Sequence, residues 1–164
     1  MKKIPFLVVA TVIAAFLLIA AGCSYAAPPP GAKVPQPVSI NTTPVKYADV
    51  NGIRIGYREF GEGEPILLLE GFGSQMDVAW NDTFIGILAS KYHVYIYDHR
   101  GIGYSSNNNA TPTIQQYSDD AAALMSALGY DSMNVYGVSM GATVSQQLVI
   151  DHPDRVRKIV LGFL

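Results

Sequence analysis

Beyond residue 44, apolar and polar positions alternate along this chain in short segments. Residues 45–50 and 53–60 are strand-like runs on either side of Asn51-Gly52, the strongest short hairpin signal a sequence offers. Residues 65–70 hold the unbroken apolar run Ile66-Leu67-Leu68-Leu69, as expected of a strand buried on both faces. The pattern then predicts a helix over 78–90, a strand over 93–98 and a polar loop over 101–112. Thr113 opens a second helix with Gln116 three residues on as a capping-box partner, and Gly129 closes it. A strand over 133–138, a helix over 140–152 and a strand over 156–163 follow. A hairpin followed by alternating strands and helices predicts an α/β fold, a mostly parallel sheet with helices on both faces.

The first 44 residues follow other rules. Lys2 and Lys3 precede a run from residue 4 to 21 that is apolar apart from Thr11, and Ala20-Ala21-Gly22-Cys23 ends it. A basic start, an apolar stretch and a small-residue exit make an export signal over 1–22. Cys23, the chain's one cysteine, directly follows small residues, which resembles a lipoprotein signal cut before a lipid-bearing cysteine. Ala20 stands where such signals more often carry leucine. An ordinary cleaved signal and an uncleaved anchor stay open as readings, since about 18 apolar residues nearly span a bilayer. All three put the following domain outside the cytoplasm, and two of them hold it at a membrane. Residues 23–44 are dense in proline, including Pro28-Pro29-Pro30, and read as an extended tether.

Candidate chemistry concentrates where the strand over 133–138 meets the next helix. Gly137-Val138-Ser139-Met140-Gly141 is a Gly-x-Ser-x-Gly turn between strand and helix, the setting in which a serine oxygen is thrust out above a sheet. Gly137 and Gly141 leave room for the tight turn, and the first amides of the helix point at whatever Ser139 attacks.

Three ordered signatures resemble the α/β-hydrolase superfamily, over about residues 45–164. Glu70-Gly71-Phe72-Gly73 follows the third strand, where the family usually has His-Gly-x-Gly. Asp98-His99-Arg100-Gly101-Ile102-Gly103-Tyr104-Ser105 follows the fourth, and the serine turn follows the fifth. The resemblance implies an α/β-hydrolase fold truncated after about strand six. It implies a serine hydrolase acting on an ester-like or acyl substrate through an acyl-enzyme, with Ser139 as nucleophile and no metal or cofactor. Backbone amides of Phe72 and Met140 would form the oxyanion hole. Trp80 and Tyr104 are candidate cleft residues. Asp98 and Arg100 correspond to an architectural loop. Glu70 departs from the family's histidine, and its carboxylate would oppose an oxyanion unless turned away or protonated.

The family's triad runs serine, acid, histidine, and the last two would lie beyond Leu164. His93, His99 and His152 do not match the family's histidine. The chain is therefore expected to be a fragment of a longer hydrolase, the other reading being a non-catalytic, membrane-tethered remnant or small-molecule binding module. Composition narrows the partners. Without the two signal lysines, 9 basic residues face 13 acidic ones, and no basic run is interleaved with aromatics, so nucleic acid is not an expected partner.

Overall fold

The computed structural model describes residues 37–109 and 111–162. The predicted export signal, Cys23 and the predicted tether up to residue 36 lie outside the described residues. Six strands form one sheet: β1 (Lys46–Val50), β2 (Ile53–Phe60), β3 (Glu64–Leu69), β4 (Tyr92–Tyr97), β5 (Met133–Val138) and β6 (Val156–Gly162), in the order β1-β2-β4-β3-β5-β6. β1 and β2 form the predicted hairpin, and β2 is antiparallel to β4; β4, β3, β5 and β6 are mutually parallel. Asn51 and Gly52 both take positive φ, 46° and 72°, the conformation a two-residue hairpin turn requires.

Side-chain alternation along β3 explains its apolar run. Leu67 and Leu69 enter one core with Tyr95, Tyr97 and Val135, covered by α3 (Ile114–Ala127) and α4 (Met140–Asp151). Ile66 and Leu68 enter a second core on the opposite face with Val94 and Ile96, beneath α1 (Met76–Ala79) and α2 (Asp82–Ala89). Leu67, Leu68 and Leu69 are fully buried. Each contributes about 1.5–3 kcal/mol of transfer free energy.

The helix ends follow their sequence signals. Thr113 Oγ1 accepts from the Gln116 amide at 3.1 Å while Gln116 Oε1 accepts from the Thr113 amide at 3.1 Å, a complete capping box. At the other end Gly129 has φ 85°, and the amides of Gly129 and Tyr130 close on the carbonyls of Ser126 and Met125, a Schellman motif.

Two expectations change. The helix predicted over 78–90 is broken: Trp80 and Asn81 are extended, and Asn81 Oδ1 caps α2 by accepting from the Phe84 amide at 2.8 Å. A local side chain–backbone bond outcompetes the helix at that point. The tether predicted to run to residue 44 meets the domain earlier. Ile40 is buried in the second core, and its amide donates to Asp82 Oδ1 at 2.9 Å. Proline density hid an apolar residue that packs.

β6 lies at the sheet edge opposite the hairpin, and Arg157 to Val160 are exposed. The parallel strands deliver the loops after β3, β4 and β5 to one edge of the sheet. β4 and β5 flank β3 on opposite sides, so that edge opens a crevice where such sheets bind ligands.

Candidate active site

Ser139 stands between β5 and α4 with φ 52° and ψ −121°, one of three non-glycine residues at positive φ among the described residues. A left-handed serine is strained by roughly 1–3 kcal/mol and persists only where its surroundings hold it. They do so through main-chain contact. A Cβ on Gly141 would lie 2.1 Å from the Leu69 carbonyl oxygen, and one on Gly137 would lie 2.4 Å from the Gly141 carbonyl oxygen. The Ser139 amide donates to the Gly162 carbonyl at 3.0 Å, tying the turn to β6. Both glycines are therefore required by close approach of neighbouring backbone.

The loop after β3 packs against this turn. A Cβ on Gly71 would be 3.4 Å from Ser139 Cβ and 3.8 Å from Ser139 Oγ. Next to it, Phe72 is 84% exposed, so its ring packs little against the domain. The Phe72 amide has no hydrogen-bond partner among the described residues, and the Met140 amide opens α4, where no preceding turn supplies a carbonyl. Among the described residues, one unpartnered amide thus stands next to Ser139 in sequence, at Met140, and another at Phe72, next to the Gly71 that packs against the serine.

Beneath the loop lies a buried polar layer. Asp98 Oδ1 accepts from the Met76 amide and Oδ2 from the Tyr104 amide, each at 2.7 Å. A Cβ on Gly103 would sit 2.2 Å from Asp98 Oδ2, which is why glycine stands there at φ 48°. Arg100 grips Asp120 with Nε and Nη2 at 2.6 and 2.7 Å in a buried pair, and Asn51 Nδ2 donates to Asp120 Oδ1 at 2.9 Å. Asp98 and Arg100 are architectural, holding loops and helices in register. Asp120 had a legible signal, an acid within the stripe Tyr117, Ala121 and Leu124 that faces the core. Arg58 had none: it is buried on β2, pairs with Asp77 of α1, and lies 5.4 Å from the centre of the Tyr104 ring. Tyr104 in turn donates to Asp77 Oδ2 at 2.9 Å.

Glu70 is fully buried, and neither carboxylate oxygen makes a hydrogen bond among the described residues. Burial, with the Asp98 charge adding to it, pushes its carboxyl up to about 9, against a weaker opposing pull from the His99 main-chain amide. Glu70 is a neutral acid at pH 7, which removes the charge that would oppose an oxyanion. Burial also raises Asp98, but the amides of Met76 and Tyr104 and the charge on Arg58 favour its ionised form.

His99 lies in the same layer. Burial lowers its imidazole to about 4, so it is neutral. Its Nε2–H donates to the Glu70 carbonyl at 3.4 Å, while Nδ1 accepts from the Tyr97 hydroxyl at 3.3 Å. His93 bonds Tyr95 and Tyr130, and His152 pairs with Asp119 at 2.8 Å. No imidazole among the described residues bonds Ser139 Oγ.

The candidate cleft residues separate. Tyr104 is partly exposed on the loop after β4, whereas Trp80 is buried in the second core, stacked on Phe84 with ring centres 5.9 Å apart. Met140 is partly buried against the first core. A cavity of about 530 Å³ opens elsewhere, lined by Arg100, Asp119, Asp120, His152 and Arg155 and by no elbow residue. Its acids are already paired, Asp119 with His152 and Asp120 with Arg100.

Comparison with known proteins agrees with this geometry. The chain is 38% identical over 118 residues to the dihydrolipoyllysine-residue acetyltransferase component of the acetoin cleaving system of Cupriavidus necator, covering 71% of this chain and 31% of that protein. An α/β hydrolase fold protein from Chitinophaga pinensis superposes with a TM-score of 0.67 at 31% identity, over 73% of this chain and 44% of that one. The enol-lactonase of Burkholderia xenovorans LB400 gives a TM-score of 0.66 at 31% identity, over 70% and 45%. The chain spans less than half the length of the curated relatives it matches. Residues 64–161 match the family model of the α/β hydrolase fold, and the chain belongs to that family.

Proposed function

We propose that this chain carries the nucleophile half of a serine hydrolase acting on ester-like bonds. The observation that carries the reading is Ser139 held at φ 52° on the strand–helix turn, with Gly71 against it and, among the described residues, unpartnered amides at Phe72, next to Gly71, and at Met140, next to the serine. In this reading Ser139 gives its proton to a base while Oγ forms a bond to the substrate carbonyl carbon. The two amides receive the oxyanion, and each such donor is worth about 3 kcal/mol in the transition state. Collapse breaks the bond to the leaving alcohol, which takes up the proton. Water then cleaves the acyl-enzyme, releasing the carboxylic acid and restoring Ser139.

The base and its orienting acid are assigned to sequence outside these 164 residues. In support, the histidines described are committed elsewhere, and the chain covers less than half the length of the matched relatives. An ester-like substrate draws support from the enol-lactonase among the similar structures. An exported, lipid-anchored location through Cys23 is part of the same proposal and rests on Lys2, Lys3 and the apolar run to Ala21. Palmitate labelling lost in Cys23→Ala would support the anchor, and unchanged labelling would remove it.

The direct test is reaction of the native protein with a fluorophosphonate probe, followed by peptide mass mapping. Modification of Ser139, absent in Ser139→Ala, is the expected result. A native protein that takes no label would favour the non-catalytic reading, a tethered remnant or binding module.

A further inference from the structure

The parallel register pairs Leu68 with Ile96, so two residues further on Glu70 comes level with Asp98 on the same face of the sheet. Two carboxyl groups thus share the space under residues 71–76, and they are not equivalent. Both oxygens of Asp98 are in use, holding the amides of Met76 and Tyr104 at 2.7 Å each. Glu70 is as deeply buried, yet neither of its oxygens is bonded. A buried carboxylate without donors costs several kcal/mol, whereas a buried carboxylic acid costs far less. Neighbouring like charges drive one member of a pair to keep its proton, and Glu70, with only the weak pull of the His99 amide against the two amide bonds of Asp98, is the one that keeps it.

The charged and titratable neighbours fit that assignment. From β2 comes Arg58, whose guanidinium is committed to Asp77 of α1. From β4 comes Tyr97, from the loop after it the neutral His99, and from α3 Tyr117, its ring tilted against that of His99 at 4.8 Å between centres. Asp120 of α3 is neutralised by Arg100. None of these offers Glu70 a counter-charge of its own. The Glu70 main chain is meanwhile fixed, because its carbonyl accepts from His99 Nε2 and lies 2.6 Å from where a Gly141 Cβ would be.

We propose that Glu70 is a positioning residue that works as an uncharged acid: while it holds its proton, Asp98 keeps its two main-chain tethers, to Met76 at the end of the loop bearing Phe72 and to Tyr104 in the loop after β4, and its ionisation loosens the Phe72 loop beside Ser139. The loop's role in oxyanion binding rests on the serine-hydrolase reading; the Glu70–Asp98 coupling does not. The consequence is an alkaline limit on the reactivity of Ser139, set by a residue that touches no substrate.

Two measurements on the native protein separate these layers. The first is the rate of fluorophosphonate labelling of Ser139 against pH in wild type and Glu70→Gln. The wild-type rate falls as pH rises through about 9, by up to the roughly 100-fold that loss of one oxyanion donor costs. Glu70→Gln keeps the neutral-pH rate and loses the alkaline fall. A fall that persists in Glu70→Gln, or a variant slowed equally at every pH, overturns the proposal, since a merely structural glutamate predicts the parallel curves.

The second is the amide ¹H–¹⁵N shift of Met76 and Tyr104 against pH, which requires no reactive serine. Both amides titrate with a shared alkaline midpoint in wild type and stay flat in Glu70→Gln. Flat wild-type amides overturn the coupling. Titrating amides in a protein that takes no label uphold it while the hydrolase reading falls.

Discussion

The turn that carries Ser139 and the loop that follows β3 meet at Gly71, where an added Cβ would lie 3.4 Å from Ser139 Cβ, yet they are held by different physics. At the elbow the constraints are steric and made by main chain: Gly137 and Gly141 are pressed against backbone oxygens, and the strained serine follows from that crowding. Under the neighbouring loop the constraints are polar and buried, with Asp98 tethering two amides, His99 bonding one carbonyl, and Glu70 silent between them. Steric constraints are insensitive to pH. A layer of buried acids and imidazole is not, and the two halves of one site should therefore fail under different perturbations.

The largest effect is expected at the elbow. Gly141→Val places branched carbon where even a Cβ would be 2.1 Å from the Leu69 oxygen, main chain that cannot move without displacing β3. Overpacking typically costs about 1–3 kcal/mol and occasionally more, a large share of the roughly 5–15 kcal/mol that holds an ordinary domain, so the urea midpoint should fall steeply. A variant that still unfolded cooperatively with an unchanged midpoint would show that the elbow is not locked by β3.

Asp98→Asn is the corresponding break beneath the loop. An amide keeps one oxygen but turns a donor toward the amide of either Met76 or Tyr104. The loss of a charge-assisted bond plus an unsatisfied donor should cost about 2–3 kcal/mol by urea denaturation. An unaltered midpoint would mean that the tethers are dispensable.

These two regions were unequally legible in the sequence. Glycine at fixed spacing after an apolar run is a one-dimensional signal, so the elbow, the hairpin at Asn51-Gly52 and the capping box at Thr113 could all be read residue by residue. The protonation of Glu70 was legible only as a condition, because burial depends on β4 lying beside β3. Arg58 and Asp77 were missed for the same reason, being brought together from β2 and α1 by the sheet. The break at Trp80 was missed because the side chain of Asn81 decided a contest that periodicity does not register. Ile40 was assigned to the tether because proline density outweighed a single apolar residue.

The pH dependence of stability sharpens the contrast at a more modest scale. Glu70 holds its proton to about 9 in the fold against an ordinary 4.5, so its contribution is complete below 4.5 and is lost as pH rises toward 9. His99 is depressed to about 4 from an ordinary 6.5, so its contribution is complete above 6.5 and is lost as pH falls toward 4. Between 4.5 and 6.5 the two slopes oppose one another, and above 6.5 the decline due to Glu70 stands alone. Each slope is at most about 1.4 kcal/mol per pH unit. The difference between wild type and Glu70→Gln should widen from pH 4.5 upward in favour of the variant, and that between wild type and His99→Gln should change only below 6.5. Parallel curves in both comparisons would remove the buried layer as the pH-sensitive half of the site.

The smallest expected effect isolates what the elbow gives up for its geometry. Ser139→Ala removes the hydroxyl but keeps the Cβ at φ 52°, so the strain remains and stability should barely change. Ser139→Gly removes the Cβ as well, and its relief outweighs the added freedom of glycine in the unfolded chain by roughly 0.5–1 kcal/mol. Both variants lose fluorophosphonate labelling if Ser139 is the nucleophile, but only the glycine variant should be more stable in urea than wild type. Equal midpoints for alanine and glycine would mean that the turn accommodates a side chain without strain, leaving Gly137 and Gly141, rather than the serine's own conformation, to define the elbow.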